Sequence, residues 1–403
     1  MISHPNGNNL SSQGVDVGRA TRFVVFIGIV SLFADMTYES ARSINGPFLA
    51  VLGASATVVG IVAGLGELLG YALRFFSGRL ADRTGRYWAV VLAGYAVNLL
   101  AVPALALAGN WPLAATLMFI ERSGKALRTP ARDAMLSFAG RRMGRGWGFA
   151  LHEALDQTGA TIGPLIVAGV MYWRSDYHLA FAVLLVPALI ALGVLLAARA
   201  AYPRPRELET ATPHLGTHGF DRPFWLYLVG TACLAAGFAD YPLIAYHFEK
   251  AATVPPDWIP IFYSIAMGVD ALAALALGRL YDRRGMGVVA GAALLAVPVA
   301  PLVFLGGFGP ALAGAVLWGI GMGAQESVMK AAVAGMSPAA LRGTAFGVYN
   351  LSFGIFWFLG SAAMGALYDL SIPTLVAFSV AMQLLSAPLI MLVARRQAGE
   401  EHR

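Results

Sequence analysis

The sequence predicts an all-α membrane protein of twelve transmembrane helices in two pseudo-symmetric six-helix bundles. Three observations predict it: an apolar excess gathered in long runs, positive charge concentrated at alternate junctions between the runs, and a set of short motifs that returns in order in the second half. Of 403 residues, 58% are hydrophobic and 12% charged, and the mean hydropathy is +0.67. Soluble domains carry about 25% charged residues, so this chain lacks the polar surface needed to dissolve in water. Its 46 glycines and 8 tryptophans suit lipid-embedded helices, where glycine permits close packing and tryptophan marks the interfaces. Spanning strands are not viable, because an open sheet edge cannot be satisfied in lipid.

The apolar runs fall at 23–45, 55–77, 87–108, 111–136, 145–172, 178–199, 223–247, 258–279, 286–306, 309–334, 343–368 and 373–394. Each is long enough to cross a hydrocarbon core of about 30 Å at a rise of about 1.5 Å per residue. Arg19 and Arg22 precede the first run, Arg79, Arg83 and Arg86 follow the second, and Arg141, Arg142 and Arg145 follow the fourth. Arg199, Arg204, Arg206 and Arg222 lie between the sixth and seventh, Arg279, Arg283 and Arg284 follow the eighth, Arg342 the tenth, and Arg395 and Arg396 the twelfth. Only Arg174 and Lys250 interrupt the pattern on the other side. The positive-inside rule then places both termini in the cytoplasm, in a cytoplasmic (inner) membrane. The expected organisation is a cytoplasmic tail at 1–22, a first bundle at 23–199, a cytoplasmic linker at 200–222, a second bundle at 223–394 and a tail at 395–403. The linker's proline, glycine and mixed charge make it a connector without a core of its own.

A net charge of +6 with a pI near 9.5 raises the question of nucleic acid. The arginines mark topology rather than forming one patch, so no nucleic-acid partner is expected. The lone cysteine, Cys233, excludes an internal disulfide and any cysteine-cluster metal site. The first 20 residues are polar, without the apolar core of a cleavable signal peptide. The glycine-rich stretch Gly60–Gly70 lacks the lysine-serine end of a nucleotide loop, which argues against a pump driven directly by ATP.

The halves echo one another. Phe33-Ala34-Asp35 returns as Phe238-Ala239-Asp240, 205 positions later, and Glu121 and Lys125 return as Glu326 and Lys330 at the same offset. Gly78-Arg79-Leu80-Ala81-Asp82-Arg83 returns as Gly278-Arg279-Leu280-Tyr281-Asp282-Arg283, 200 later. Arg145-Gly146 with Phe149 resembles Arg342-Gly343 with Phe346. Six crossings return the chain to its starting side, so the halves are parallel, an arrangement that suits rocking about a central site.

On these residues the chain resembles the major facilitator superfamily of secondary transporters over essentially its full length. Gly78 to Arg86 is similar to the family's glycine, aspartate-arginine, glycine-arginine signature, with a degenerate copy at Gly278–Gly285. The stretch from Arg122 to Ala134 is similar to a signature of one poorly characterised bacterial and archaeal branch. The sequence departs from that branch at Met36–Pro47, where a serine-glutamate-methionine run would lead directly into proline. The resemblance implies two six-helix bundles around a central cavity. It also implies a conformational latch, formed here by Gly78, Asp82, Arg83, Gly85, Arg86, Asp282 and Arg283, with Asp82 joining the halves in the outward-facing state. The plainer reading of the same loop is a turn with positive-inside charge.

A charge at a helix centre costs roughly 2.5 to 3.5 kcal/mol on insertion scales, so embedded charges face the bundle interior or water. Asp35 and Glu39 stand one helical step apart and share a face, with Arg42 in reach of Glu39. Asp35, Glu39, Asp240 and Asp270 are the candidate proton-coupling acids, Asp270 because no basic residue lies within a turn of it. A structural Glu39–Arg42 ion pair is the competing reading. Glu67 and Arg74 lie near one face of the second run; Glu121 and Lys125, like Glu326 and Lys330, are favourable four-residue pairs that either neutralise themselves or serve a solute. Arg122 is less easily explained by pairing, because the nearest acid already has a partner, and Arg122, Arg128 or Lys330 could attract an anionic solute. His152 and Asp156, four apart, form either a proton-handling or a satisfied polar pair. His247, Gln325 and Asn350 complete the polar candidates, and Tyr38, Tyr71, Tyr241, Phe353 and Trp357 the aromatic lining, each of which is otherwise ordinary helix packing.

The leading expectation is a proton-coupled secondary transporter that exports a small organic compound by alternating access. It is a monomer in lipid, with the solute and protons as partners and with no catalytic residues, cofactor or bound metal. The alternative is an importer or facilitator of a polar or anionic metabolite, resting on Arg42, Arg74, Arg122, Arg128 and Lys330, or more weakly of a metal ion held by Asp35, Glu39, Asp240 and His247. A membrane enzyme or receptor without transport is the alternative of another class; it leaves the parallel repeat unexplained.

Overall fold

A computed structural model of the chain describes residues 8–143, 145–203, 220–337 and 342–401. The first half contains α1 (Asn8–Val51), α2 (Ala56–Thr84), α3 (Tyr87–Ala104) with a short 3-10 turn at Leu105–Leu107, α4 (Trp111–Met143), α5 (Arg145–Arg174), α6 (Tyr177–Val183) and α7 (Leu185–Ala201). The second half contains α8 (Arg222–Gly237), α9 (Tyr241–Ala251), α10 (Trp258–Arg284), α11 (Gly287–Ala296), α12 (Val299–Phe304), α13 (Phe308–Glu326), α14 (Val328–Gly335), α15 (Arg342–Leu370) and α16 (Ile372–Glu401). The protein is thus an all-α, multi-pass membrane fold. Among the described residues, nine helical stretches are long and apolar enough to cross a membrane. The α4, α5 and α13–α14 stretches, where further crossings were expected, fall outside that group: embedded charges dilute α4 and α5, and glycines with Gln325 and Glu326 dilute α13.

Several expected helices are interrupted, and the chain chemistry explains where. Pro187 removes the amide that would bond Val183, and α6 gives way to α7 there. Phe238 and Asp240 are extended, and Pro242 sits in the first turn of α9, so the expected run 223–247 is two helices with a break within the apolar span Arg222–Ala251. Ser327 (φ −109°, ψ −79°) separates α13 from α14, and its hydroxyl donates to the Gly323 carbonyl at 2.5 Å, competing with the helical ladder. At the chain ends, residues expected as tails extend α1 back to Asn8 and α16 on to Glu401, where no proline stops the helix. Most of the expected linker, residues 204–219, lies outside the described residues.

Within the first half α1 packs on α5 and α7, and α4 on α2 and α3; within the second, α10 packs on α13, and α8 on α15 and α16. Lipid offers no hydrophobic drive between helices, so close backbone approach supplies the attraction. A Cβ at Gly159 would lie 2.2 Å from the Leu32 carbonyl oxygen, and one at Gly319 2.3 Å from that of Ala266. Gly85 (φ 65°) and Gly285 (φ 62°), which follow α2 and α10, both take a positive φ that favours glycine, at matching places in the repeated motif.

Contacts between the halves run along α2 and α15, α5 and α10, and α1 and α9. One end is shut. Asp369, at the end of α15, accepts hydrogen bonds from the Ala56 and Thr57 amides (3.1 and 2.8 Å) and the Thr57 hydroxyl (2.6 Å), capping α2 from the opposite half. Tyr177 donates to Glu249 at 2.7 Å and Tyr246 to the Ala54 carbonyl at 3.2 Å. Cβ atoms at Gly46, Gly60 and Gly365 would each collide with backbone across this seam, at 1.9 to 2.5 Å.

Candidate functional site

Below the shut seam the halves part around two adjoining chambers of about 220 and 260 Å3. Glu39, Arg42, Arg74, Lys125, Met322, Glu326 and Lys330 line both. The first chamber adds Glu67, Tyr71, Arg122 and, from the second half, Gln325, Tyr349, Asn350, Phe353 and Trp357. The second adds Asp35, Tyr38, Asp156 and Asp270, together with Thr129, Arg132, Asp133, Glu153, Gln157 and Tyr263. Most of the candidate cavity residues therefore converge on one region, contributed by α1, α2, α4, α5, α10, α13, α14 and α15.

The ion pairs differ from those suggested by helical spacing. Arg42 leaves Glu39 and bridges Glu67 (3.1 Å) and Asp240 (3.2 Å), tying α1 to α2 and to the start of α9. Glu39 is instead 3.6 Å from Lys125 and accepts a hydrogen bond from the Tyr263 hydroxyl. Lys125 also stands 3.7 Å over the Tyr38 ring, so it is drawn away from Glu121. Glu121 takes the Asn98 amide at 2.7 Å and the Arg122 Nε at 3.5 Å, and Arg122 reaches on to Glu67 at 3.2 Å. Each half of the expected Glu121–Lys125 pair is thus satisfied elsewhere, and Arg122 has two acids rather than none. Spacing along one helix gave the wrong partners because neighbouring helices present closer ones.

Other expectations are also revised. Glu326 and Lys330 form no ion pair among the described residues, since the break at Ser327 destroys their four-residue register. His152 hydrogen-bonds Ser31 at 2.8 Å rather than Asp156, although one ligand atom from each of His152, Glu153 and Asp156 lies within 4.8 Å of the others. His247 sits outside the chambers, 3.0 Å from the Tyr368 hydroxyl and against Phe304. Asp240 is held by Arg42 and by Trp357 Nε1 at 3.2 Å. The four residues considered for a metal ion consequently do not converge. Tyr241 is fully buried, donates to the Ile259 carbonyl at 2.8 Å and packs on Trp318, outside the cavity. Glu121 and Asp240 line only a narrow cleft of about 20 Å3. Arg128 is fully buried behind the chambers, its guanidinium 4.1 Å over the Tyr95 ring and without a hydrogen-bond partner.

Asp35 and Asp270, at 4% and 2% exposure, form no ion pair among the described residues, and each keeps one carboxylate oxygen without a hydrogen-bond partner. In the loop signature, Gly85 has a positive φ, Arg83 and Arg86 are exposed, and so are Asp282 and Arg283 in the second copy. The side chains of residues 78–82, Gly78 and Asp82 among them, lie outside the described ones. The sequence reading missed Tyr263, Asn98, Gln157 and the Asp369 cap, ordinary polar residues whose importance comes from helices far away in the chain. Arg132 and Asp133 lay within the quoted Arg122–Ala134 stretch, and Glu153 beside His152, so those signals were present.

A polar cavity between two helical halves, closed at one end in a membrane protein, is the architecture of a transporter. The chain belongs to the major facilitator superfamily: that family's model matches residues 25–361. It is a secondary-transport family working by alternating access, and the chain is a transporter rather than an enzyme. An uncharacterised protein of Mycobacterium tuberculosis is 42% identical over 384 residues, covering 94% of this chain and 93% of that protein. An uncharacterised transporter of the superfamily from Methanocaldococcus jannaschii is 23% identical over 406 residues, covering 98% and 100%. Among solved structures, a variant of the nucleoside transporter NupG superposes with a TM-score of 0.73 at 12% identity, covering 92% of this chain and 99% of that one. At such identity the likeness is one of fold.

Proposed function

We propose that the protein is a proton-coupled transporter that exports a small, polar organic solute by rocking its two halves about the chambers. The observation that carries this reading is the placement of two buried acids without ion-pair partners, Asp35 from the first half and Asp270 from the second, on the wall of one charged cavity. A carboxyl group that is not committed to a salt bridge is free to take and release a proton as its access changes, whereas Glu39, Glu67 and Asp240 are held by cations. The charged lining supports a polar solute over a purely lipophilic one, because desolvating an apolar molecule beside so many ionic groups gains little. The same lining favours the second reading, import or facilitated passage of a polar metabolite, and the direction of flux separates the two.

In this proposal α4, α5 and α13–α14 also cross the bilayer. This completes twelve crossings in two bundles, residues 23–199 and 223–394, joined by a cytoplasmic linker, in a monomer with both termini inside. The open end of the cavity then faces the cytoplasm, and the seam at Asp369 is the outer gate. The latch residues of the α2–α3 loop, Asp82 first, act when the cytoplasmic side closes.

The test is flux in proteoliposomes under an imposed pH gradient, with Asp35→Asn and Asp270→Asn variants beside the native protein. Gradient-driven accumulation that either variant abolishes, with solute exchange at equal pH retained, is the expected result. Accumulation that persists without a gradient, or in the double variant, overturns proton coupling at these acids.

A further inference from the structure

We propose that Arg74 and Lys330 form a clamp for the anionic group of the solute, so that the substrate class is an organic anion with an apolar body. This deepens the transport reading and rests on it. Three of the five cations around the first chamber are already engaged: Arg42 by Glu67 and Asp240, Arg122 by Glu67 and Glu121, and Lys125 by Glu39. Arg74 and Lys330 remain. Neither forms an ion pair among the described residues; Arg74 leans 5.6 Å from the Tyr71 ring centroid with its Nε unpartnered. Both face the first and the second chamber.

A third donor points the same way. Gln325 is buried at 7% exposure on the first chamber wall, and its Nε2 has no hydrogen-bond partner. Two cations and an unsatisfied amide N–H call for an acceptor-rich group such as a carboxylate or phosphate. Of the three acids on the first chamber wall, Glu39 and Glu67 are held by other cations, so Glu326 alone opposes Arg74 and Lys330 there, whereas Asp133, Glu153 and Asp156 line the second chamber. Asp35 and Asp270 lie on the second chamber and belong to the proton route.

The clamp spans the molecule: Arg74 comes from α2 in the first half, Lys330 from α14 in the second. An anion held by both replaces the repulsion of two like charges by attraction to a common centre, which favours bringing the halves together at the open end. The apolar partner surface is the aromatic row beside it. Tyr71 meets Phe353 at a centroid distance of 6.4 Å, and Phe353 meets both Tyr349 and Trp357 at 5.6 Å. An anion with an aromatic or similarly flat body fits both features.

Thermal unfolding of the purified full-length protein in detergent tests this with four probes of one shape: benzoate, phenyl phosphate, benzamide and benzylamine. One or both anions should raise the melting temperature in a concentration-dependent way, and the one that does identifies carboxylate or phosphate as the preferred group. Arg74→Gln and Lys330→Gln should each weaken that binding about tenfold or more, with Arg74→Lys and Lys330→Arg retaining part of it and the exposed Arg174→Gln leaving it unchanged. Stabilisation by benzamide or benzylamine equal to that by the anions overturns the clamp, as does stabilisation by no anion or unchanged anion affinity in both glutamine variants. Asp35→Asn tells the two readings apart: it should still bind the anion, so binding lost only in the clamp variants supports the clamp even where proton-driven flux fails. Normal proton-driven flux with clamp-independent binding removes the clamp alone.

Discussion

Gly60→Ala should open the seam between α2 and α15 without unfolding either half. A Cβ at Gly60 would lie 2.2 Å from the Ser361 carbonyl oxygen and 3.1 Å from its carbon, both backbone atoms of a helix that has no rotamer to change. Van der Waals contact requires the helices to separate by roughly 1 Å at that level. Overpacking of this kind costs about 1–3 kcal/mol, borne only by the conformation in which the seam is closed, and so shifts the closed-to-open ratio by roughly 5–150-fold. The readout is electron–electron double resonance between spin labels at Val51→Cys and Leu370→Cys, exposed positions at the ends of α1 and α15, in a Cys233→Ser background. The longer-distance population should grow in Gly60→Ala. Gly124→Ala is the control, because its Cβ would meet the Asn98 backbone nitrogen at 2.4 Å inside the first half; it should lower the melting temperature and leave the distances alone. A Gly60→Ala protein with native melting behaviour and an unchanged distance distribution would refute the idea that this seam is a gate.

Two further substitutions test the contacts that hold the halves. Asp369→Asn removes the charge that caps α2 through three hydrogen bonds, worth about 0.5–2 kcal/mol as an N-cap with its helix-dipole component; the same label pair should report partial opening, and an unaltered closed fraction would discount the cap. Arg42→Met leaves Glu67 with Arg122 alone and strips the buried Asp240 of its cation, with only Trp357 Nε1 still donating to it, and should cost about 3–5 kcal/mol, as for other broken buried pairs. Adding Asp240→Asn should recover part of that loss in a double-mutant cycle of detergent melting temperatures, and strictly additive effects would show that the bridge is not energetically coupled.

Much of this molecule was legible in one sequence because lipid leaves a chain few options. Long apolar runs must be helices, and charges within them must face one another or water, so Asp35, Glu39, Arg42, Glu67 and Arg122 declared themselves as interior groups before any geometry was known. The repeat exposed the equivalence of Gly85 and Gly285, which share a positive φ. Partner choice was not legible. Helical spacing names which residues share a face, yet which acid meets which base depends on the approach of other helices. Arg42 thus found Glu67 and Asp240, and Lys125 found Glu39. The break at Phe238–Asp240 was signalled by Pro242, whereas that at Ser327 had only a serine among glycines to mark it. Asp369 gave no signal at all, because a carboxylate at the end of one helix becomes a cap only when the start of another helix is brought to it.

The repeat also reveals an asymmetry with consequences for transport. Glu121 and Lys125 correspond in the repeat to Glu326 and Lys330, yet the first pair is dispersed into fixed contacts with Asn98, Arg122, Glu39 and the Tyr38 ring. The second pair is released by the Ser327 break and lines the cavity without an ion pair among the described residues. Charge that is fully paired stabilises one arrangement of helices and resists exchange, while charge left facing water can gain a partner when a solute or the opposite half arrives. In the first half these two residues belong to an ionic frame, while in the second their counterparts line the same chamber walls as Arg74 without an ion pair among the described residues. A conformational cycle needs such inequality: were Glu326 and Lys330 locked as firmly as their counterparts, solute binding would have little differential free energy with which to move the halves.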